Sequence, residues 1–291
     1  MEFVARPCTR GSHSVLKHAE HTLIGIRPWN SHYRPRTVEG LVEWACGKFA
    51  AADVSIPVDE AVHILTTTGV PRREAVRRAE RTIGKLRTPA LRALHRTGGP
   101  NPKRRFHTCT QLADCPDYQP LLELAQHAYM TAEAVRHACR LTVRGVMLAA
   151  VGIEPTENQV AQAVGYVITE LPLVLDAPSI LEVQSSLFVF HCEMGFLEPL
   201  LAGKVARLHP DSGQGYAVIQ PGERDSAVGH LLWQQDGDPR YDPPTNQGTS
   251  CRRVLAECRK NRQVRRQALN PRKHSFDLPN LRRRLRTQAF Q

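Results

Sequence analysis

The stretch EHTLIGIRPWNSHY, residues 20–33, decides how the rest of the chain is read. Leu23, Ile24 and Ile26 form a short apolar run of the kind made by a strand buried on both faces. The run stops in Pro28-Trp29-Asn30-Ser31, a turn sequence. Ligands of open α/β sheets bind beyond the carboxyl ends of strands, so Arg27, just past this strand, stands where chemistry is expected. Arginine is a permanent cation and cannot act as a nucleophile near neutral pH.

Working outward, apolar residues at helical spacing (Val38, Leu41, Val42, Ala45, Cys46, Phe49) predict a helix over 37–50. DVSIPV at 53–58 reads as a second buried strand, followed by a short helix over 59–66. Gly69-Val70-Pro71 opens a long helix, with proline at the first turn, where its missing N–H costs nothing. A third strand is expected over 104–109, and one long helix or two joined ones over 117–150. Thr156 caps a helix running to residue 170, and late strands are expected over 185–191 and 215–221. Strands alternating with helices predict an α/β fold, a mostly parallel sheet with helices on both faces. The expected layout is an N-terminal extension (1–20), a catalytic domain (21–222), a polar, proline-broken linker (223–251) and a basic tail (252–291).

The net charge of +11 points to a polyanionic partner. Thirteen Arg or Lys against Glu257 and Asp277 give the tail a charge equal to that of the whole chain. The helix from 71 carries nine basic residues against Glu74 and Glu80. Arg73, Arg77, Arg81, Lys85, Arg92 and Arg96 share one face of it, as contact with backbone phosphates requires. Eight cysteines without a CxxC pair, and no HExxH, argue against a zinc or redox site. His13, His18 and His21 are accordingly read as packed or solvated, and neither metal nor cofactor is expected. Gly213-x-Gly215 lacks the third glycine of a dinucleotide fingerprint, and no Walker A or GxSxG pattern occurs. With no signal-peptide core at the N-terminus and a longest apolar stretch of 146–153, a cytoplasmic monomer without membrane contact is expected.

Three stretches together resemble the cyclodipeptide synthases. HTLIGIRPWNS resembles their first signature, GYVITELPLVLDAPSIL (165–181) the second, and VFHCE (189–193) the third, over roughly 21–221. The resemblance implies the catalytic-domain fold of class I aminoacyl-tRNA synthetases and the use of aminoacyl-tRNA to make peptide bonds. It implies that Gly25 lets substrate approach the strand end, and that Tyr166 and Glu170 hold the substrate amino group and move protons. It places Tyr118 and His191 in the active site, Asn30, Gly69 and Phe190 around the substrate, and a tRNA-binding role on the helix from 71, with Arg73, Arg77, Arg81, Lys85 and Arg92. Leu23 and Leu173 are candidate pocket residues. Arg27 stands where the family has its nucleophilic serine, Phe190 where it has a tyrosine, and Val70 where it has an arginine. Ser31 matches a family serine with a different job. Arg27 in the place of the serine implies transfer to a small amine or amino-acid acceptor without an acyl-serine. The alternatives are a cyclodipeptide made by an unusual route, or tRNA binding without catalysis.

Overall fold

The apolar runs become the centre of a parallel sheet. The computed structural model describes residues 1–97, 101–192, 194–201, 205 and 208–222. The expected linker and tail, and Glu193 of the third signature, lie outside them. The strands are β1 (Phe3–Pro7), β2 (His21–Gly25), β3 (Ala51–Ser55), β4 (Phe106–His107), β5 (Ser186–Phe190) and β6 (Gln214–Pro221). The helices are α1 (Arg10–His18), α2 (Pro35–Lys48), α3 (Asp59–Thr67), α4 (Arg72–Arg96), α5 (Cys109–Leu112), α6 (Tyr118–Thr131), α7 (Glu133–Val151), α8 (Glu157–Ala163), α9 (Gly165–Ile168), α10 (Leu171–Ile180) and α11 (Leu197–Leu201).

The sheet order is β1-β6-β5-β2-β3-β4. Every pairing is parallel except β1 with β6, so the expected α/β class holds. Chain order runs from β2 through β3 to β4 on one side, then returns to β5 and β6 on the other. The direction reverses between β2 and β5, which opens a crevice at their carboxyl ends. All five residues of β5 and the first four of β2 are buried, as strands covered on both faces must be.

Three sequence expectations are corrected. Residues 3–18 are no appendage: β1 pairs with β6, and α1 is fastened to the sheet by Ser12 Oγ, which accepts the Tyr216 N–H at 2.9 Å. The helix expected over 158–170 is broken into α8 and α9, and 171–180 adds a further helix kinked at Asp176 (φ −157°, ψ 61°). The segment Glu157–Ile180 is long and apolar enough to suit a membrane crossing, but 78% of its most apolar window is buried; it is the core of this fold. The third strand shrinks to two residues, and 117–150 resolves into α6 and α7, meeting at Ala132. His21 is packed: its Nδ1 lies 2.8 Å from Ser186 Oγ, and its Nε2 lies 3.4 Å from an Asp53 oxygen that also meets His107 Nε2 at 3.1 Å. These contacts stitch four neighbouring strands with one polar row.

Candidate active site

Four strands deliver side chains to the same edge of the sheet. Arg27 follows β2, Glu60 opens the helix after β3, Cys109 follows β4, and His191 and Cys192 follow β5. The turn after β2 places Trp29 at φ 64°, a left-handed conformation that a tryptophan adopts only when its surroundings enforce it. That turn aims Asn30 at β5. Asn30 Oδ1 accepts the His32 N–H at 2.9 Å, which fixes the amide's orientation, so Nδ2 donates to His191 Nε2 at 2.8 Å.

The protonation of His191 follows from its partners. Tyr33 donates its hydroxyl proton to the Gly25 carbonyl at 2.8 Å, leaving its oxygen to accept from His191 Nδ1 at 3.2 Å. Nδ1 therefore carries the proton, and Nε2 is the acceptor. Cys192 Sγ lies 3.3 Å from the same Nε2. Burial, with the His32 ring and the Arg27 cation adding to it, pushes the His191 imidazole down to about 3, so it is neutral at physiological pH. His32 stacks on it at 5.2 Å.

Arg27 is half-buried, and its guanidinium donates to Met194 Sδ at 2.7 Å. Among the described residues no carboxylate lies within salt-bridge distance of it. Its charge is nonetheless felt by Glu170, Tyr166, Tyr33 and His191. Withdrawal from water pushes the Glu170 carboxyl from 4.5 up to about 7; the Arg27 cation opposes the rise and Glu60 adds to it. A carboxyl titrating near 7 is poised to exchange protons at neutral pH.

Tyr166 is fully buried beside Glu170, and its hydroxyl has no hydrogen-bond partner among the described residues. Burial holds that phenol well above its ordinary range. Tyr118, also buried, donates its hydroxyl to the Thr169 carbonyl at 2.7 Å, so it fixes the backbone one residue before Glu170. Gly25 is required by packing: a Cβ there would lie 2.7 Å from the Phe188 ring. Phe188 in turn packs on Phe190 at 4.5 Å, so the space the sequence reading gave to substrate beside Gly25 is filled by a ring. Leu23 and Leu173 are both buried in the core. Gly69, at φ 89°, ends α3, with its N–H on the Thr66 carbonyl at 3.0 Å.

The basic face of α4 is exposed, but part of it is already paired. Arg96 bridges Glu39 at 2.8 Å and also pairs with Glu43, Arg92 lies 3.9 Å from Glu39, and Arg77 pairs with Glu74 at 2.6 Å. Arg73, Arg81 and Lys85 make no ion pair among the described residues. An open groove of about 640 Å³ runs between α2 and α4, lined by Arg36, Arg81, Lys85 and Arg92.

Glu60 was not singled out by the sequence. An acid in the first turn of a helix reads as a partner of the helix dipole, and only the folded chain brings it to Thr169, Cys109 and Glu170.

The cyclodipeptide synthase family model matches residues 3–221. The chain belongs to the cyclodipeptide synthase family. A cyclo(L-leucyl-L-leucyl) synthase of Bacillus subtilis is 32% identical over 76% of this chain and 90% of its own length. A cyclo(L-leucyl-L-phenylalanyl) synthase of Streptomyces noursei is 27% identical over 75% of the chain and 91% of its own. A solved Mycobacterium tuberculosis protein, described as demonstrating that cyclodipeptide synthetases are related to type I tRNA synthetases, superimposes with a TM-score of 0.64. It is 25% identical and covers 76% of this chain and 94% of its own. A cyclodipeptide synthase from Bacillus thermoamylovorans gives a TM-score of 0.71 at 24% identity, covering 76% and 96%. The family consists of aminoacyl-tRNA-dependent enzymes that form peptide bonds, and this member has Arg27 at the end of its central strand.

Proposed function

We propose that this cyclodipeptide synthase passes an aminoacyl group from tRNA directly to the amine of an acceptor, without an acyl-serine, in the biosynthesis of a small peptide. The observation that carries the reading is Arg27 at the β2 end of the crevice, electrostatically coupled to a carboxyl that titrates at about 7. The acceptor nitrogen attacks the ester carbonyl, forming the C–N bond, and the bond to the ribose oxygen breaks. Glu170 takes the proton that the nitrogen loses and returns it to the departing ribose oxygen, which leaves as a hydroxyl. The ester is already activated, so holding the amine against it supplies most of the acceleration. The Arg27 fork suits a carboxylate, which favours an amino-acid-like acceptor. The tRNA would lie along α4, whose groove exposes Arg81 and Lys85.

One contact favours a second reading. Cys192 Sγ lies 3.3 Å from His191 Nε2 at the β5 end of the crevice, where its thiol is an alternative nucleophile to the missing serine. A thioester there would restore a two-step route to a cyclic dipeptide. Acid trapping after incubation with radiolabelled aminoacyl-tRNA separates the two. Direct transfer leaves the protein unlabelled and yields product only when acceptor is supplied. Label that disappears in Cys192→Ala would overturn it in favour of the thioester.

A further inference from the structure

Among the described residues, Glu60 Oε2 and the Tyr166 hydroxyl are buried without a hydrogen-bond partner. Tyr166 is fully buried, and its electrostatic neighbours include both Glu170 and Glu60. Leaving such atoms unpaired is costly, so native proteins reserve them for a ligand or water. The Thr169 hydroxyl and the Cys109 thiol lie near enough to the Glu60 carboxylate to ease its charge against the cost of burial. Among the described residues Oε2 itself has no hydrogen-bond partner.

This rests on the proposed transfer and on the role that the family resemblance implies for Tyr166 and Glu170, which hold the amino group of the aminoacyl ester and leave Glu60 Oε2 without a use. The part of the substrate that projects past the amine is its side chain. We infer that Glu60 selects the aminoacyl side chain, its Oε2 accepting a hydrogen bond from an N–H or O–H donor on it. The substrate class is then an aminoacyl group with a donor-bearing side chain, unlike the leucyl and phenylalanyl groups in the names of two relatives and like the tyrosyl group in that of a third. An aliphatic side chain would strand the carboxylate in a buried site, and burial already pushes Glu60 above its ordinary value.

Binding of adenosine 3′-amides, which cannot be turned over, tests this without relying on catalysis. The probes are matched pairs: leucyl with asparaginyl, phenylalanyl with tyrosyl, and norleucyl with lysyl. The donor-bearing member of at least one pair should bind the unmodified protein about tenfold tighter or more. Glu60→Leu should abolish or reverse that ranking. Glu60→Gln, which keeps an acceptor oxygen, should preserve it for the neutral donors. Equal or tighter binding of the apolar member in every pair overturns the inference, as does a ranking unchanged in Glu60→Leu. Should Glu60→Leu fail to fold, the ranking by the unmodified protein still decides. A Glu60-dependent ranking without turnover would remove the proposed reaction but keep the site, and turnover with a Glu60-independent ranking would do the reverse.

Discussion

Replacing Glu170 with glutamine should make the protein more stable and less active at once. Its carboxyl rises from 4.5 to about 7 on folding, chiefly because burial penalises the charged form. Between those values the unfolded chain has released the proton and the folded chain keeps it. Stability from this group therefore falls as pH rises, by about 1.4 kcal/mol per pH unit. The accumulated cost is about 3 kcal/mol at most above pH 7, an upper bound because the side chain is only partly covered. Glutamine keeps the shape and removes the titration. Urea unfolding at pH 5 and pH 8 checks this. The two proteins should nearly coincide at pH 5, and the variant should be more stable at pH 8 by up to about 3 kcal/mol. Glu60 contributes a slope of the same sign to both proteins, so the difference between the curves reports mainly on Glu170. Turnover should fall by about a hundredfold or more with the base gone. Parallel stability curves would refute the desolvated carboxyl, and unchanged turnover would refute its role as base.

Removing the cations of Arg73, Arg77, Arg81 and Lys85 together should weaken tRNA binding and lower its salt slope by roughly 0.7–0.9 per lost contact, read from filter binding across salt concentrations. An unchanged slope would make this face of α4 a merely solvated one. Gly25→Ala should destabilise the fold by about 1–3 kcal/mol in urea, because its Cβ meets the Phe188 ring at 2.7 Å. Glu60→Gln should move the acidic limb of the pH–rate profile to lower pH, since Glu60 raises the Glu170 carboxyl. A chain ending at Gly222 keeps all six strands found among the described residues and should unfold cooperatively, with weaker tRNA affinity; an uncooperative transition would show that later residues complete the core.

The central strands were legible because β2, β3, β5 and β6 are runs whose apolar content needs no tertiary information to recognise. Strand β1 was missed because FVARP alternates buried and open positions and ends in proline, as an edge strand does. The break in 158–170 was hidden by an unbroken apolar stripe; the chain tightens there, Glu170 N–H bonding the Val167 carbonyl at 3.0 Å. Tyr166 and Glu170 were singled out through their spacing in a recognisable signature, but Glu60 was not. Its proposed role rests on a buried oxygen near groups far along the chain, which periodicity does not encode. Pairing was equally invisible: Arg92 and Arg96 looked like free phosphate ligands until α2 brought Glu39 against them.

The partnership of β1 with β6 constrains how the protein can be made. Phe3 lies opposite Pro221, and the Gly222 N–H reaches the Glu2 carbonyl at 2.8 Å. During vectorial synthesis β1 leaves the ribosome first and waits for the last strand of the sheet. Until then the outer side of β5 is an open template for pairing with another nascent chain. A contact that spans the whole fold also slows the final closure, since its loop entropy is met only at the end. Assembly of the β2–β5 crevice can come early, but its protection from aggregation comes last.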